Sequence, residues 1–259
     1  MAEARLHRNL IDSSRQLLEL DPKATALAGD GALFCAGGSA HPVMANAAFR
    51  TEDDADPDEL IGRAREFFGS RGRGFSLWLR HAEPADDDLT EAARGAGLEM
   101  VYSMPEMVLA RRPETHPPPI GVELRQVREP AQASEYWNVA AASYASLGFP
   151  PEVFTGNSDH EGMLTANLAA FVAHVDGEAA GIAMTIVSDG VAGIYWVGTV
   201  ERARGRGIGW AVTAAATSAG FDLGADVASL QASHMGRPVY ERMGFETVHD
   251  YQLWMAPPP

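Results

Sequence analysis

The tetrapeptide Arg-Gly-Arg-Gly occurs twice in the chain, at residues 71–74 and at residues 204–207. An arginine guanidinium can form paired hydrogen bonds with phosphate oxygens, and glycine lets the backbone come close to a ligand. Each copy therefore has residues that are suited to binding a phosphate. The segments on either side of each copy decide whether the backbone supports that chemistry.

The second copy lies between a predicted strand at residues 191–200 and a predicted helix at residues 210–224. The free N–H groups and the positive end of a helix N-terminus attract anions. The first copy instead follows a predicted helix at residues 56–70. Because a helix C-terminus presents carbonyl oxygens, the glycines there are predicted to cap the helix and the arginines to satisfy its last carbonyls. We therefore predict one phosphate site, at residues 204–209. The competing interpretation is an ordinary strand-to-helix turn with solvated arginines.

The elements that position these motifs fall into two halves. The 259 residues suffice for about two domains. Four prolines between Arg111 and Gly121 predict a stiff linker at residues 113–119. The predicted domains are residues 1–112 and residues 120–259.

The C-terminal half has a regular order of predicted elements. A short strand and a helix precede three apolar runs, which are separated by Asp-Gly pairs at residues 176–177 and 189–190. Asp-Gly favours tight hairpin turns, so the runs predict an antiparallel meander. A helix, a strand, a second helix and a last strand follow.

The composition of the chain argues against several classes of protein. Hydrophobic residues make up 46% of the chain and charged residues 21%, which is typical of a globular protein. A net charge of −15 argues against a nucleic-acid partner. No apolar run approaches the roughly 18–20 residues of a membrane span, and the N-terminus lacks a signal-peptide pattern. Cys35 is the single cysteine, so no intramolecular disulfide or cysteine-based metal site is expected and a cytoplasmic location is predicted.

The C-terminal half, from Val122 to Ala256, resembles the GNAT superfamily of N-acetyltransferases. The acyl-CoA loop of that family, Arg/Gln-x-x-Gly-x-Gly/Ala, is matched by Arg204, Gly207 and Gly209. A second family element, Tyr-x-x-x-Gly-Phe, begins at Tyr240. The resemblance implies an α/β (α+β) fold, in which a mixed and mostly antiparallel sheet is flanked by helices.

The same resemblance implies acetyl-CoA or CoA as a co-substrate, and no metal. Tyr240 would protonate the leaving thiolate, because a phenol with a pKa of ~10 stays protonated at neutral pH. Its competing role is a packed side chain at a helix end. The backbone next to the pantetheine arm and the amides around the pyrophosphate would come from Val197, Gly198, Thr199, Arg204, Gly205, Arg206, Gly207, Ile208, Gly209 and Trp210.

The chain departs from the family pattern at the general base. Many members carry a catalytic glutamate where this sequence has Gly193. His160 and Glu161 lie in an irregular segment that, by resemblance, walls the acceptor pocket, and Tyr195 lies on the predicted fourth strand of the fold. These three residues are candidates for contact with the acceptor. For each of them a purely structural role is the competing interpretation.

A short segment of the N-terminal half is similar in sequence to a segment of the C-terminal half. The segment that begins at Gly97, Gly-Leu-Glu-Met-Val, matches Gly-Phe-Glu-Thr-Val at Gly244, and similar elements precede both. The position equivalent to the tyrosine is Ala93, and the position of the phosphate loop, residues 52–59, is rich in acids. The N-terminal half is therefore predicted to be a degenerate, non-catalytic copy, as in tandem GNAT proteins.

Together these features predict transfer of an acetyl group from acetyl-CoA to a primary amine of a small molecule or peptide. The alternative is a non-catalytic acyl-CoA-binding regulatory protein. Gly193 favours that alternative, and Tyr240 opposes it. A homodimer is among the expected assemblies.

Overall fold

The computed structural model describes residues 2–43, 45–81, 84–114 and 116–259. The N-terminal half consists of α1 (Ala2–Leu18), β1 (Thr25–Gly29), β2 (Ala32–Ala36), β3 (Asn46–Arg50), α2 (Pro57–Gly69), β4 (Phe75–His81), α3 (Asp87–Gly95) and β5 (Glu99–Leu109). The C-terminal half consists of β6 (Val122–Gln126), α4 (Pro130–Ala145), α5 (Glu152–Thr155), β7 (Leu168–Val175), β8 (Glu178–Ser188), β9 (Val191–Thr199), α6 (Ile208–Asp222), β10 (Val227–Gln231), α7 (Arg237–Met243) and β11 (Glu246–Ala256).

The eleven strands form one mixed sheet in the order β1-β2-β3-β4-β11-β5-β10-β9-β8-β7-β6. The neighbours β3–β4 and β9–β10 are parallel, and the other neighbouring strands in this order are antiparallel. The predicted α/β fold with a mostly antiparallel sheet is confirmed.

The two halves exchange their last strands, so that the last strand of each half pairs with a strand of the other half. Strand β5 of the N-terminal half pairs with β10, and β11 of the C-terminal half pairs with β4. The two exchanged strands also pair with each other at the centre of the sheet. The sheet is therefore continuous across the predicted boundary at residues 113–119, and the division into domains at that boundary stays a prediction.

The two halves share one order of elements. In the N-terminal half it is β1-β2-β3-α2-β4-α3-β5, and in the C-terminal half it is β7-β8-β9-α6-β10-α7-β11. In each series the third strand is parallel to the fourth, and a helix connects them: β3 and β4 in the N-terminal half, β9 and β10 in the C-terminal half. The predicted second copy of the fold is thus confirmed.

Helix α1 covers one face of the sheet where the two halves meet. Its residues Leu10 and Ile11 pack with Phe49 and Tyr251, and the helix also contacts β8 and β9. Full burial of a leucine or isoleucine side chain contributes about 1.5–3 kcal/mol. The helix therefore fastens the N-terminal end of the chain to the strand that borders the candidate site.

The turn predictions are confirmed at both Asp-Gly pairs. Asp176 and Asp189 have φ of 53° and 49°, and the following glycines have φ of 84° and 74°. Positive φ at both central residues is the geometry of a type I′ hairpin turn.

The first Arg-Gly-Arg-Gly copy follows α2, as the sequence predicts. Arg71 donates to the last-turn carbonyl of Phe67 at 2.5 Å, and its guanidinium lies 4.0 Å from the centre of that ring. The same prediction is wrong for Arg73, which instead donates to the Gly37 carbonyl and to Asn46. The left-handed Gly72 (φ 63°) turns the chain between them, so the second arginine leaves the helix end.

Candidate active site

The two parallel strands of the C-terminal half separate along their length. Strand β10 pairs with β9 at three positions, and the last of these joins Ser229 to Gly193. Beyond that pair, and within the described residues, β9 from Ile194 to Thr199 has no strand partner on the β10 side. Backbone groups of β9 are thus open to a ligand along one edge.

A β-bulge at Trp196 lies within the separated part of β9. The register with β8 shifts between Ile182 and Met184, and Trp196 has a φ of 50°. A positive φ is rare for a bulky residue, and bulges are enriched next to active sites. The Tyr136 hydroxyl donates to the Trp196 carbonyl at 3.3 Å, and Tyr144 donates to the Val197 carbonyl at 3.1 Å. Two tyrosines of α4 therefore hold the bulge from one face.

The second Arg-Gly-Arg-Gly copy connects β9 to the N-terminus of α6, which confirms the predicted strand-loop-helix order. Gly205 and Gly207 both have a φ of 76°, which favours glycine. Gly207 is the N-cap of α6, and within the described residues no side chain forms a capping hydrogen bond there. The first amides of the helix are therefore left for an anion.

A cavity of about 880 Å³ extends along this loop and the separated part of β9; we call it the β9 cavity. It is bordered by α6 and α7 and also by Ser143 and Tyr144 of α4. The residues predicted to bind the cofactor that line it are Val197, Gly198, Thr199, Arg204, Gly205, Gly207, Ile208, Gly209 and Trp210.

The two arginines of the loop differ in their surroundings. The Arg204 guanidinium donates to the carbonyls of Thr199 and Ser143, each at 3.2 Å, and to the Ser146 hydroxyl at 2.5 Å. It therefore ties the end of β9 to the end of α4. The Arg206 guanidinium points towards the β7–β8 turn, 3.9 Å from the Asp176 carboxylate. Direct contact of either side chain with a phosphate stays a prediction.

Tyr240 lies in the wall of the β9 cavity, on α7. The side chain is 7% exposed, and burial raises its pKa above the ordinary value. A Cβ atom at Gly236 would come within 2.7 Å of the Tyr240 ring, so the glycine allows the close approach. The hydroxyl is thus held in its protonated form beside the cavity.

The three predicted acceptor residues lie elsewhere. Tyr195 donates to the Asn9 side-chain oxygen at 2.8 Å, beneath α1. His160 and Glu161 lie in the segment before β7, which contacts the turn after α1 through the hydrogen bond from the Asp159 amide to the Leu20 carbonyl. The structure does not bring these three residues together, and their role as acceptor contacts stays a prediction.

The linker between the halves forms part of the cavity wall, which sequence reasoning missed. His116 and Pro119 border the cavity, and the His116 ring meets the Trp210 ring edge-to-face at a centroid distance of 6.1 Å. Pro119 also approaches the loop, 3.2 Å from the position of a Cβ on Gly207. The proline pattern predicts a stiff segment, but nothing in it indicates what the segment touches.

The equivalent place in the N-terminal half is closed by its own side chains. The Asp56 carboxylate caps α2 by accepting from the Glu59 amide at 2.9 Å. Arg50, which is 2% exposed, pairs with Asp88 at 2.7 Å and donates to the Ala55 carbonyl. The N-terminus of α2 is thus capped by a side chain of its own half, unlike that of α6, and the non-catalytic role of this half stays a prediction.

The donor set of the β9 cavity fits the pantetheine and pyrophosphate parts of CoA. The separated edge of β9 offers peptide groups to an amide-containing arm, and the uncapped start of α6 offers N–H groups to phosphates. Among the described residues, no cluster of three or more His, Cys, Asp or Glu is arranged to hold a metal ion. No described helix is both long and apolar enough to cross a bilayer.

Comparisons with known proteins agree with this geometry. Residues 166–247 match the acetyltransferase (GNAT) domain family. A GCN5-related N-acetyltransferase from Kribbella flavida is 20% identical, with a TM-score of 0.75 over 99% of this chain and 96% of that one. One from Sphaerobacter thermophilus is 14% identical, with a TM-score of 0.65 over 100% and 92%. No match was found among curated proteins.

A tandem GNAT protein from the clavulanic acid biosynthesis pathway has the same fold. It is 14% identical, with a TM-score of 0.61 over 97% of each chain. The fold and the cleft thus define a protein with two acetyltransferase-like halves that share one sheet. Residues 166–247 match the GNAT acetyltransferase domain, and the chain as a whole has the fold of a tandem GNAT protein.

Proposed function

We propose that the chain transfers the acetyl group of acetyl-CoA to a primary amine of a small molecule or peptide. The observation that carries the proposal is the β9 cavity, in which an open strand edge, an uncapped helix N-terminus and the Tyr240 hydroxyl meet. A non-catalytic acyl-CoA-binding protein would not need a protonated phenol at that place.

Acetyl-CoA, when bound, supplies a thioester that a neutral amine can attack. The amides at residues 205–210 would hold its pyrophosphate through hydrogen bonds and the helix dipole. Peptide groups of Val197–Thr199 would align the pantetheine arm. These contacts would position the thioester end towards the bulge at Trp196.

Tyr240 would act on the leaving sulfur as a hydrogen-bond donor. A typical thiol has a pKa of about 8.5, so a thiolate is a weaker base than the Tyr240 phenolate would be. Because burial raises the pKa of Tyr240 further, complete proton transfer is opposed, whereas donation of a hydrogen bond to the developing charge is not.

The net charge of −15 is compatible with a cationic acceptor. We also propose a cytoplasmic location, supported by a single cysteine that is buried. Association into a homodimer stays a prediction, which analytical ultracentrifugation would test.

Gly207→Asp tests the function directly. An aspartate there would add a negative charge at the helix N-terminus and a side chain against Pro119, at a φ of 76° that strains any L-residue. Isothermal titration calorimetry should show loss of CoA binding, with the far-ultraviolet circular dichroism unchanged. Thiol release from acetyl-CoA across a panel of amines should be measurable for the natural chain. CoA binding without acetyl transfer to any amine would favour the regulatory alternative, and undiminished CoA affinity in the variant would refute the site.

A further inference from the structure

The linker between the two halves contacts both ends of helix α6. The Arg112 guanidinium donates to the carboxylate of Asp222, the last residue of α6, at 2.6 Å. At the other end of the helix, Pro119 lies against the N-cap residue Gly207. The fifteen residues of α6 span about 22 Å at a rise of ~1.5 Å per residue. The linker therefore runs along the helix, in the opposite direction to it.

The β9 cavity continues between the linker and α6, and we call this part the linker channel. Its lining residues are Glu114 and residues 116–119 of the linker, and Trp210, Ala211, Ala214, Ala215 and Ser218 of α6. The segment that matches the GNAT domain family, residues 166–247, does not include the linker. One wall of the cavity is thus supplied by a part of the chain outside that domain.

The linker channel lies on the far side of the α6 N-terminus from the separated edge of β9. In CoA the pyrophosphate joins the pantetheine arm to the adenosine. If the arm lies along β9 and the pyrophosphate lies at the start of α6, the adenosine continues past Gly207 into the linker channel. The channel extends as far as Ser218, about 16 Å along the helix at ~1.5 Å per residue.

The linker holds an aromatic ring in this channel. The His116 ring meets the half-buried Trp210 ring at an angle of 60° and a centroid distance of 6.1 Å. Edge-to-face contacts of this kind restrict the orientation of both rings. Aromatic side chains are platforms on which any nucleic-acid base can stack. His116 is therefore placed to orient the indole for a purine.

The charges along the channel favour a base over a phosphate. The Glu114 carboxylate lies 3.7 Å from His116 Nε2, and it also lines the channel. A carboxylate repels a phosphate, but it can accept a hydrogen bond from the amino group of adenine. The arginines that line the cavity, Arg204 and Arg242, lie instead on the loop before α6 and on α7.

We propose that the linker makes the site selective for an acyl donor that carries a nucleoside. The inference rests on the proposed function. Residues 116–119 hold the adenosine of CoA against Trp210, with His116 as a positioning residue for the indole. The same residues exclude a phosphopantetheine arm that is attached to a carrier protein. In such a carrier the phosphate is esterified to a folded domain, and that domain would have to occupy the place of the linker beside Gly207.

Calorimetric titration with CoA and with 4′-phosphopantetheine, which lacks the adenosine, tests the proposal. The natural chain should bind CoA at least about tenfold more tightly than 4′-phosphopantetheine, because base stacking alone accounts for such a factor. His116→Ala should lower the affinity for CoA about two- to tenfold, the range expected for one aromatic pair. Its affinity for 4′-phosphopantetheine should stay unchanged, whereas general damage to the cavity would weaken both ligands.

His81→Ala is the matched control. His81 is an exposed histidine at the end of β4, in the N-terminal half, and its removal should change neither affinity. The His116 side chain is 53% exposed, so its replacement should leave the fold intact.

A second variant removes the stiffness of the linker at constant length. It combines His116→Gly, Pro117→Ser, Pro118→Gly and Pro119→Ser. Glycine and serine make a segment flexible, whereas consecutive prolines keep it extended. The preference of this variant for CoA over 4′-phosphopantetheine should fall to within about threefold.

The contrary outcomes separate this inference from the proposed function. Equal affinities of the natural chain for CoA and 4′-phosphopantetheine would overturn the inference and leave CoA binding standing. An unchanged preference for CoA in both linker variants would overturn it as well, and so would acetyl transfer by the natural chain from an acetylated carrier protein. A natural chain that binds neither ligand would overturn the proposed function, and with it this inference.

Discussion

The buried carboxyl of Glu106 should make the stability of the protein depend on pH in a way that one substitution removes. The ordinary pKa of 4.5 rises to about 7 in the folded chain. Between these values the folded state holds a proton that the unfolded state has released. Stability from this group is therefore fully present below pH 4.5 and is lost as the pH rises through 7. One pH unit corresponds to about 1.4 kcal/mol, so the loss amounts to about 3 kcal/mol.

Glu106→Gln keeps the size of the side chain and stays neutral at every pH. Its free energy of unfolding, relative to that of the natural chain, should therefore rise by about 3 kcal/mol between pH 4.5 and pH 8.5. Urea denaturation of both proteins at four pH values measures this difference. A difference that stays constant across the range would refute the assignment of a buried, neutral-pH carboxyl.

Two buried histidines make the comparison between the proteins necessary. Burial lowers the pKa of His7 and of His249 to about 4. Their contribution to stability is present above pH 6.5 and is lost as the pH falls through 4, which opposes the trend from Glu106. Because both proteins contain these histidines, their contribution cancels in the difference.

Three further predictions concern the β9 cavity. Tyr240→Phe removes only the hydroxyl and should lower kcat about 10²-fold at unchanged acetyl-CoA affinity; a natural kcat, when chemistry limits turnover, would make the tyrosine structural. Arg204→Gln removes the predicted contact of this guanidinium with a phosphate and should weaken CoA binding at least about tenfold in calorimetry, since a hydrogen bond from a charged donor contributes ~1.5–3 kcal/mol. Its control is Arg71→Gln, which should cost only about 0.5–1 kcal/mol in a denaturant titration; lost CoA affinity in folded Arg71→Gln would show a second cofactor site. Trp210→Ala should weaken the binding of CoA about tenfold, because stacking of a base on an aromatic ring contributes ~1–3 kcal/mol. The binding of 4′-phosphopantetheine, which lacks the adenosine, should stay unchanged. Equal losses of affinity for both ligands would exclude adenine stacking.

The predictions that the structure confirms rest on patterns among residues that are close together in the sequence. Asp-Gly pairs predict hairpin turns, and glycines after a strand and before a helix predict the loop at residues 204–209. The opposite placement of the first copy, after a helix, is likewise visible in the sequence. These features follow from backbone geometry and helix polarity, which depend on residues near one another in the chain.

The acceptor side of the site could not be predicted in the same way. Tyr195 is close to the bulge in sequence, but its hydroxyl bonds to Asn9, which lies 186 residues earlier. In the sequence, Gly193 indicates only that a glutamate base is missing at this position. The structure shows that Asn9 of α1 and the Tyr195 side chain occupy the space that a side chain at Gly193 would need. No periodicity in the sequence indicates that the first helix packs on a strand of the other half.

The sequence by itself determined that the C-terminal half carries a glycine-rich loop between a strand and a helix N-terminus, and that a second copy of the fold precedes it. Only the tertiary structure decided which strands border the site. The exchange of β5 and β11 brings Glu106 to Ser229, 123 residues away in the chain. A strand pattern specifies which residues face a core, but not which partner the strand will pair with, because backbone hydrogen bonds are the same for every sequence. The burial that raises the pKa of Glu106 depends on that choice of partner.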